Sequence, residues 1–293
     1  NDDFIRTTDK RHVQIVQKIF ENMHKNGDLY KGHYEGLYCY GCEAFYQEKD
    51  LTNLKCKFHD KPVELIKEES YFFRLSKYQK KLLAHYEKNK DFILPRSRRQ
   101  EIINRVNEGL KDISVSRHNV DWGIQIPFDK THRVYVWKEA LENYISALGY
   151  PDGKRFKKFW PCDTHFIGVD INFFHSVIWP AMLMSMDLEL PKHIFVHGFI
   201  RTSTGEKMSK SKGTVVDPLA LAKKYPIDAL RYFLLREIPF GDDGDFSEDA
   251  LKTRLNNELA NDLGNLLSRS LSMVKKDLKG TISKKPTNKA LSK

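Results

Sequence analysis

The sequence predicts an α/β protein: a parallel sheet in its second half, a small metal-bound subdomain before that sheet, and helices at the end. Three observations carry this prediction. Two short apolar runs, 165–168 and 193–198, flank a helical pattern over 171–186, and strand, helix, strand is typical of a parallel βαβ unit. Cysteine pairs with metal-ligand spacing lie upstream, and a leucine stripe runs through residues 255–267.

Length and composition favour a folded globular chain. The 293 residues suit about two domains, and 40% hydrophobic with 12% aromatic residues excludes a disordered or low-complexity class. No apolar run approaches the ~18 residues of a membrane helix, and the N-terminus has no secretory pattern. The absence of a starting Met suggests a chain that begins within a protein.

The net charge of +10 favours polyanionic partners such as nucleic acid or nucleotide phosphates. Seven lysines lie in the last nineteen residues, so much of the excess belongs to the C-terminal tail. A solvated helix end explains that tail equally well.

The first element is a helix over 11–26, because apolar residues recur at helical spacing and Gly27 ends the pattern. Residues 29–66 are aromatic and β-leaning, which predicts a small β subdomain. A strand over 71–75 and helices over 78–89 and 97–109 follow, with Pro95 breaking the pattern between the helices.

The β subdomain contains a candidate zinc site. Cys39-x2-Cys42 and Cys56-x2-His59 are two knuckles separated by thirteen residues, and each pair aims two donors at one point. Four protein ligands make a closed, structural site. Disulfides are the alternative, but three cysteines cannot all pair and Cys162 stands alone. Thiolate ligation also indicates a reducing, intracellular compartment.

Beyond residue 114 the pattern predicts strands over 124–126 and 133–137 and a helix over 138–148. Ligands of parallel sheets bind beyond the carboxyl ends of the strands, which places 168–170 and 198–204 at the mouth of the site. From about residue 226 onward the pattern is helical.

A loop over 202–214 holds three lysines, Lys207, Lys210 and Lys212, between two glycines and among small hydroxyl residues. Such a loop can bring ammonium groups to phosphates, although a Lys/Ser/Gly loop is commonly only a solvated turn.

The literal strings add a resemblance. Lys207-Met208-Ser209-Lys210-Ser211 is similar to the KMSKS signature of class I aminoacyl-tRNA synthetases, and the chain resembles methionyl-tRNA synthetases in particular. Matches over essentially the whole chain include these strings: Phe4-Ile5-Arg6-Thr7-Thr8-Asp9, Gly36-Leu37-Tyr38-Cys39, Ser116-Arg117, Tyr135-Val136-Trp137, His165-Phe166-Ile167-Gly168-Val169-Asp170, Phe174-His175-Ser176 and Trp179-Pro180-Ala181-Met182-Leu183. The resemblance implies methionine activation by ATP, with Mg2+ as counter-ion, and transfer of methionine to tRNA(Met).

The family's other signature, His-x-Gly-His, is not in the sequence, since 33–36 and 197–200 do not satisfy it. We therefore expect a fragment that begins after this element, within the first half of the nucleotide-binding fold, and that needs the missing N-terminal piece as a partner for activity. We also expect the chain to stop early in the helical anticodon-binding bundle.

The resemblance implies roles for individual residues. Gly168 and Asp170 would hold the ribose of ATP, and Ile200 would offer backbone groups to adenine. An N-cap for the helix that follows is an alternative role for Asp170. Lys210 would be the main phosphate contact with Lys207 assisting, and Arg117 would lie near the active centre unless it forms a surface ion pair.

Six residues match the family's methionine pocket: Trp137, Ala140, Tyr144, Ile171, Phe174 and His175. An aromatic wall suits a thioether, because each sulfur–ring contact contributes ~0.3–1.5 kcal/mol. Their helical spacing would otherwise predict ordinary core positions, with His175 a satisfied core histidine. The chain departs from the family at Lys138-Glu139, where an apolar residue followed by Asp is more usual.

The resemblance implies a Rossmann-like catalytic domain and five segments. They are 1–27, the end of its first half; 28–114, the zinc insertion; 115–205, its second half; 206–254, the KMSKS and stem-contact region; and 255–293, the start of the anticodon bundle. The expected location is the cytoplasm. The insertion leaves no room for the editing domain of leucyl, isoleucyl or valyl enzymes, and the closed knuckle argues against a cysteinyl enzyme. A non-catalytic RNA-binding or zinc-ribbon scaffold remains the alternative from another class.

Overall fold

The computed structural model describes residues 2–39, 44–46, 51, 53, 55–56, 62–118, 120–208 and 213–282. These residues divide between two compact units, Asn1–Val196 and His197–Lys293. Of the predicted site residues, Cys42, His59 and Lys210 lie outside the described residues.

The strands of the first unit form three sheets. An antiparallel four-stranded sheet has the order β2-β1-β3-β5, with β1 Leu29–Cys39, β2 Ala44–Tyr46, β3 Glu64–Phe73 and β5 Ile113–Ser114. A three-stranded sheet has the order β4-β10-β9, with β4 Ile93–Leu94, β9 Thr164–Gly168 and β10 His193–His197. An antiparallel sheet has the order β6-β8-β7, with β6 Ser116–His118, β7 Gln125–Ile126 and β8 Asp129–Val134.

Helices cover these sheets. They are α1 Lys10–Lys25, α2 Gln79–Lys88, α3 Arg96–Asn107, α4 Val136–Leu141, α5 Asn143–Ser146, α6 Lys154–Phe159 and α7 Trp179–Ser185. A 3-10 turn precedes α2 at Leu75–Tyr78, another lies at Val169–Ile171, and a π-helical turn at Phe174–Ile178 leads into α7.

The predicted helix α1 is confirmed, and its stripe enters the main core. Val16, Ile19, Phe20 and Met23 are fully buried against the sheets. Gly27 follows the helix with a positive φ of 73°, a backbone conformation that glycine adopts without a steric penalty.

The parallel sheet is confirmed in the pairing of β4 with β10, and β9 lies beside β10. The predicted strand 133–137 is wrong beyond Val134, because Tyr135 turns the chain and α4 begins at Val136. Packing of α4 against its neighbours overrides the β-propensity of Val136 and Trp137. The predicted helix 138–148 is two short helices. The predicted helix 171–186 is confirmed as a helical stretch made of the end of a 3-10 turn, the π-helical turn and α7.

The second unit contains α8 Pro218–Lys224, α9 Ile227–Glu237, α10 Glu248–Arg254, a π-helical stretch Leu255–Leu263 and α11 Gly264–Asp277. The prediction of helix throughout this part was wrong at β12, Gly244–Phe246, which pairs in parallel with β11, Ile200–Thr202. The predicted leucine stripe is helical but not buried, since Leu263, Leu266 and Leu267 are 58–65% exposed. Among the described residues no helix is long and apolar enough to cross a bilayer.

Candidate active site

The predicted methionine-pocket residues come together in the first unit, on α4, α5, the 3-10 turn that ends at Ile171 and the π-helical turn. The rings of Trp137 and Phe174 stack with centroids 4.4 Å apart and planes 21° apart. The Tyr144 hydroxyl lies 2.7 Å from His175 Nε2, and His175 Nδ1 lies 3.0 Å from the carbonyl oxygen of Ile171. Ala140 lies half-buried at the end of the same helix as Trp137. The structure thus gathers this predicted group on one set of elements.

The hydrogen bonds fix the proton on His175. A carbonyl oxygen can only accept, so Nδ1 carries the proton and donates it to Ile171. Nε2 is then an acceptor, and the Tyr144 hydroxyl donates to it. Burial lowers the pKa of His175, which favours this neutral form. His175 is therefore buried with both ring nitrogens hydrogen-bonded, which fits a core histidine and is also compatible with a place in a pocket wall.

The exposure of these side chains differs from that of their neighbours on the same elements. Trp137, Ala140, Tyr144, Ile171 and Phe174 are all half-buried. In contrast, their neighbours on α4 and the π-helical turn that point into the protein are buried, including Leu141, Ser176 and Val177. Half-buried rings packed against the main core are compatible with a ligand wall.

A second layer of rings backs the pocket, and sequence reasoning gave it no role. His165 lies at a centroid distance of 4.1 Å from Tyr144, and Trp179 Nε1 donates to His165 Nε2 over 3.2 Å. Trp160 packs edge-on against Trp179 at 6.0 Å. Burial, with a smaller contribution from His175, lowers the pKa of His165 to about 3. The sequence is rich in aromatic residues and histidines over 160–179, but this enrichment does not by itself predict that their rings pack together.

Gly168 and Asp170 lie at the carboxyl end of β9, where ligands of parallel sheets bind. The N-cap of the 3-10 turn is Gly168, with Asp170 inside the turn, so the alternative N-cap role of Asp170 is wrong. The Asp170 carboxylate is exposed, and it makes no hydrogen bond or ion pair to any residue in the described ranges. It is available to a ligand.

Arg117 lies on β6, and its guanidinium is held from two sides. Nη1 donates to Ser114 Oγ and to the Ser116 carbonyl, each over 3.1 Å. The guanidinium carbon lies 4.2 Å above the Tyr135 ring, a cation–π contact. These contacts set the direction of the Arg117 side chain.

The second unit holds Ile200 and Lys207. Ile200 opens β11 and is 42% exposed, with its backbone paired opposite Gly244. Lys207 pairs with Arg201 through a single β-bridge, and its ammonium lies 4.2 Å above the Phe199 ring. The position of the Lys207 ammonium is therefore set by the Phe199 ring.

The described part of the predicted zinc site consists of two buried thiols. Cys39 ends β1 and is 2% exposed, and Cys56 is fully buried next to the bridge between Lys55 and Pro62. Buried sulfur at the end of a strand suits a soft-metal ligand.

Charged residues unexpectedly occupy the protein-facing side of α4 and α5. Lys138 and Glu142 are 2% and 0% exposed and form an ion pair of 2.5 Å. The Lys138 ammonium also lies 4.8 Å above the Phe20 ring. Beside this pair, His12 contacts Glu139 Oε2 at 2.7 Å and Ser146 Oγ at 2.8 Å. Lys138 and Glu139, two members of this network, are the residues at which the sequence departs from the pattern expected from the resemblance.

Comparison with known proteins agrees with this geometry. The family model described as tRNA synthetases class I (M) matches residues 1–52 and 42–271. Methionine–tRNA ligase of Caldanaerobacter subterraneus subsp. tengcongensis is 55% identical over 97% of this chain and 44% of its own length. The Brucella suis methionine–tRNA ligase is 52% identical over 96% of this chain and 56% of its own length.

Solved structures give the same result. Mycobacterium tuberculosis methionyl-tRNA synthetase bound by methionyl-adenylate matches with a TM-score of 0.88 and 47% identity, over 99% of this chain and 58% of that chain. Its apo form matches with a TM-score of 0.84. The chain spans about half the length of the curated relatives it matches. With this fold and these matches, the chain belongs to the methionyl-tRNA synthetase family of class I tRNA synthetases.

Proposed function

We propose that this chain is part of an enzyme that activates L-methionine with ATP to methionyl-adenylate and transfers the methionine to tRNA(Met). The observation that carries the proposal is the half-buried aromatic wall formed by Trp137, Phe174 and Tyr144. A related enzyme at 47% identity is known with methionyl-adenylate bound, which supports the same ligand here.

The wall suits methionine for two physical reasons. A flexible thioether makes favourable contacts with ring edges and faces, and the half-buried rings leave their outer surfaces open to it. The polar groups beside the rings are committed to one another, since the Tyr144 hydroxyl donates to His175 and His175 donates to Ile171. A neutral wall of this kind favours an uncharged side chain over a charged one.

In the proposed reaction, a methionine carboxylate oxygen attacks the α-phosphorus of ATP and pyrophosphate leaves. Lys210, with Lys207 assisting, stabilises the charge that develops on the departing pyrophosphate, and Mg2+ accompanies ATP as its counter-ion. Asp170 accepts hydrogen bonds from the ribose hydroxyls beside Gly168, and Ile200 presents backbone groups to adenine. Arg117 provides a fixed cation near the reacting groups.

The remaining features are proposed on the same basis. Cys39, Cys42, Cys56 and His59 hold one structural Zn2+ within an insertion over 28–114, and the buried sulfurs of Cys39 and Cys56 support this. The catalytic fold continues over 115–205, the KMSKS region over 206–254, and the anticodon-binding bundle begins at 255. Thiolate ligands favour a reducing compartment, here the cytoplasm.

The experiment is methionine-dependent ATP–pyrophosphate exchange by the full-length protein that contains this chain. Exchange is expected with methionine and not with leucine, isoleucine or cysteine. Lys210→Ala is expected to slow adenylate formation by about two to three orders of magnitude, with an unchanged dissociation constant for methionine. Lys212→Ala, two residues along the same loop, is the matched control and retains most of the rate. A full-length protein that binds tRNA but supports no exchange would favour the RNA-binding scaffold.

A further inference from the structure

Outside the proposed active site, three potential metal ligands from three strands converge in the first unit. Glu69 lies on β3, His118 ends β6 and His132 lies on β8. Their ligand atoms all lie within 4.8 Å of one another. His118 and His132 are directly paired across the antiparallel ladder, so the two imidazoles lie on the same face with centroids 4.9 Å apart.

The separations suit a first-row divalent cation. Bonds of 2.0–2.1 Å in a tetrahedral arrangement place neighbouring ligand atoms about 3.3–3.4 Å apart. His132 Nε2 and Glu69 Oε1 are already 3.2 Å apart. His118 is half-buried, and its ligand nitrogen lies within 4.8 Å of the other two ligand atoms, so metal binding requires its side chain to move closer to them. Two imidazoles with one carboxylate favour Zn2+, Co2+ or Ni2+ over Mg2+ or Ca2+.

The buried imidazole is already supported from behind. His132 is fully buried, and its Nδ1 lies 3.1 Å from Ser116 Oγ. The backbone N–H of Tyr71 donates to the same oxygen over 2.8 Å, and Ser116 can donate its own proton to Ser70 Oγ at 3.2 Å. Without a metal ion, His132 Nε2–H donates to the Glu69 carboxylate, which only accepts. A cation at this point would displace that proton, and Ser116 Oγ is able to accept from Nδ1–H when Nε2 becomes the metal ligand. Orientation of a ligating histidine by a second hydrogen bond is typical of metal sites.

A lysine ammonium now occupies the neighbourhood of the carboxylate. Lys31 Nζ lies 2.7 Å from Glu69 Oε1 and 3.1 Å from Asp129 Oδ2. Lys31 and Glu69 are 42% and 35% exposed, and such a surface pair contributes only ~0–1 kcal/mol. A metal ion can displace the ammonium from Glu69 at little cost, since Asp129 still holds it.

We propose that Glu69, His118 and His132 form a second metal site, distinct from the cysteine knuckle, that binds a borderline divalent cation such as Zn2+. Water completes the coordination, since Asp129 Oδ2 continues to hold the Lys31 ammonium at 3.1 Å. The ion links β3 to the pair β6 and β8, and β8 leads into α4 at Val136. The site therefore braces the strand from which the helix carrying Trp137 begins.

The test is a Co2+ titration of the chain after one equivalent of Zn2+ has filled the cysteine knuckle. A further equivalent of Co2+ is expected, with weak visible d–d bands and no thiolate charge-transfer band. His118→Ala should weaken this second binding at least ten-fold, because it removes a ligand. Its matched control is His193→Ala. His193 lies on β10, its Nδ1 donates to the Asp91 carbonyl oxygen, and it is not a member of the proposed metal site.

A second variant tests the competition directly. Lys31→Met removes the ammonium and should tighten Co2+ binding by about two- to five-fold, whereas Lys80→Met on α2 should leave it unchanged. The absence of a second equivalent, an unchanged affinity in His118→Ala, or weaker binding in Lys31→Met would each overturn the proposal.

Discussion

The helical segment formed by α4 and α5 has two faces with opposite chemistry. One face carries Trp137 and Tyr144, whose rings are half-buried and hydrogen-bonded or stacked to the π-helical turn. The other face carries Lys138 and Glu142, which are charged and fully enclosed. The apolar rings thus remain partly open while the charges are sealed inside, the reverse of the usual distribution.

This reversal predicts different roles for the two faces. Enclosing an ion pair costs desolvation energy that the attraction between the charges only partly offsets. Leaving rings half-open forgoes burial energy that a full core position would supply. The open face is therefore the one to expect in ligand binding, and the charged face is the one whose disruption should affect folding. Four predictions separate these roles.

The largest effect is expected from breaking the buried pair. Glu142→Leu leaves the Lys138 ammonium enclosed without its hydrogen-bonded carboxylate and should lower the free energy of unfolding by about 3–5 kcal/mol. In the double variant Lys138→Met with Glu142→Leu, most of that loss should be recovered. Burial raises the pKa of Glu142 and lowers that of Lys138, so both charges are already held at a cost. Urea unfolding of the wild type, both single variants and the double variant gives the coupling energy.

An unpaired carboxylate oxygen also indicates that the buried ion pair is costly. Within the described structure Glu142 Oε2 has no hydrogen-bond partner, so the pair is incompletely satisfied. If the double variant is as unstable as Glu142→Leu alone, the ion pair itself stabilises the fold, and its attraction more than offsets the desolvation cost.

On the open face, Trp137→Ala should weaken methionine binding by the full-length protein about 10- to 100-fold, roughly 1.4–2.7 kcal/mol. The loss combines sulfur–ring contacts with apolar area removed from water. The matched control is Val136→Ala, because Val136 is the adjacent residue and is 56% exposed. Calorimetric titration with methionine measures both. Equal weakening in the two variants would remove Trp137 from the pocket wall.

The third prediction concerns acid, which acts on the layer behind the open face. The folded pKa of His165 is about 3, below its ordinary value of 6.5, because burial disfavours the charged ring. As pH falls the unfolded chain therefore takes up the proton first. The stability from this residue is complete above pH 6.5 and is lost as pH falls toward 3, by at most about 1.4 kcal/mol per pH unit. His175, with a pKa also lowered by burial, adds a loss of the same sign.

Urea unfolding at pH 7.0, 5.5 and 4.5 measures this slope. His165→Gln keeps an acceptor for Trp179 but cannot be protonated in this range, so its stability should fall less steeply. His33→Gln, at an exposed position on β1, should follow the wild-type slope. Parallel slopes for all three proteins would exclude His165 as a source of the acid sensitivity.

Much of this arrangement follows from sequence patterns, and the exceptions have physical causes. The stripe of α1 and the strands β9 and β10 were predicted because their periodicity and apolar runs reflect direct burial. The burial of Lys138 and Glu142 was not predicted, because a charged residue in a helix normally indicates a solvent-facing position. Their burial depends on the ion pair between them, which the sequence alone does not show.

Other features that were not predicted from the sequence depend on packing between segments that are distant along the chain. The short strand β12 has three residues and pairs with β11 more than forty residues earlier, which local periodicity cannot reveal. The pocket residues were identified from the resemblance, while their half-buried state depends on how α4 meets the π-helical turn. The functional roles of all the predicted site residues stay predictions, and Cys42, His59 and Lys210 also lie outside the described residues.

The smallest effect is expected where the open face meets its backing layer. Tyr144→Phe removes the hydroxyl that donates to His175 Nε2 over 2.7 Å and leaves that nitrogen without this donor. The expected loss in the free energy of unfolding is about 0.5–1.5 kcal/mol, the net value of one hydrogen bond. Tyr150→Phe is the matched control: in the described residues the Tyr150 hydroxyl makes no hydrogen bond, and its removal should change stability by less than about 0.5 kcal/mol. Nitrogen NMR shifts of His175 should keep the proton on Nδ1 in both variants, because the Ile171 carbonyl still accepts it. Equal destabilisation by the two substitutions would indicate that the Tyr144 ring, and not its hydroxyl, is what stabilises this part of the wall.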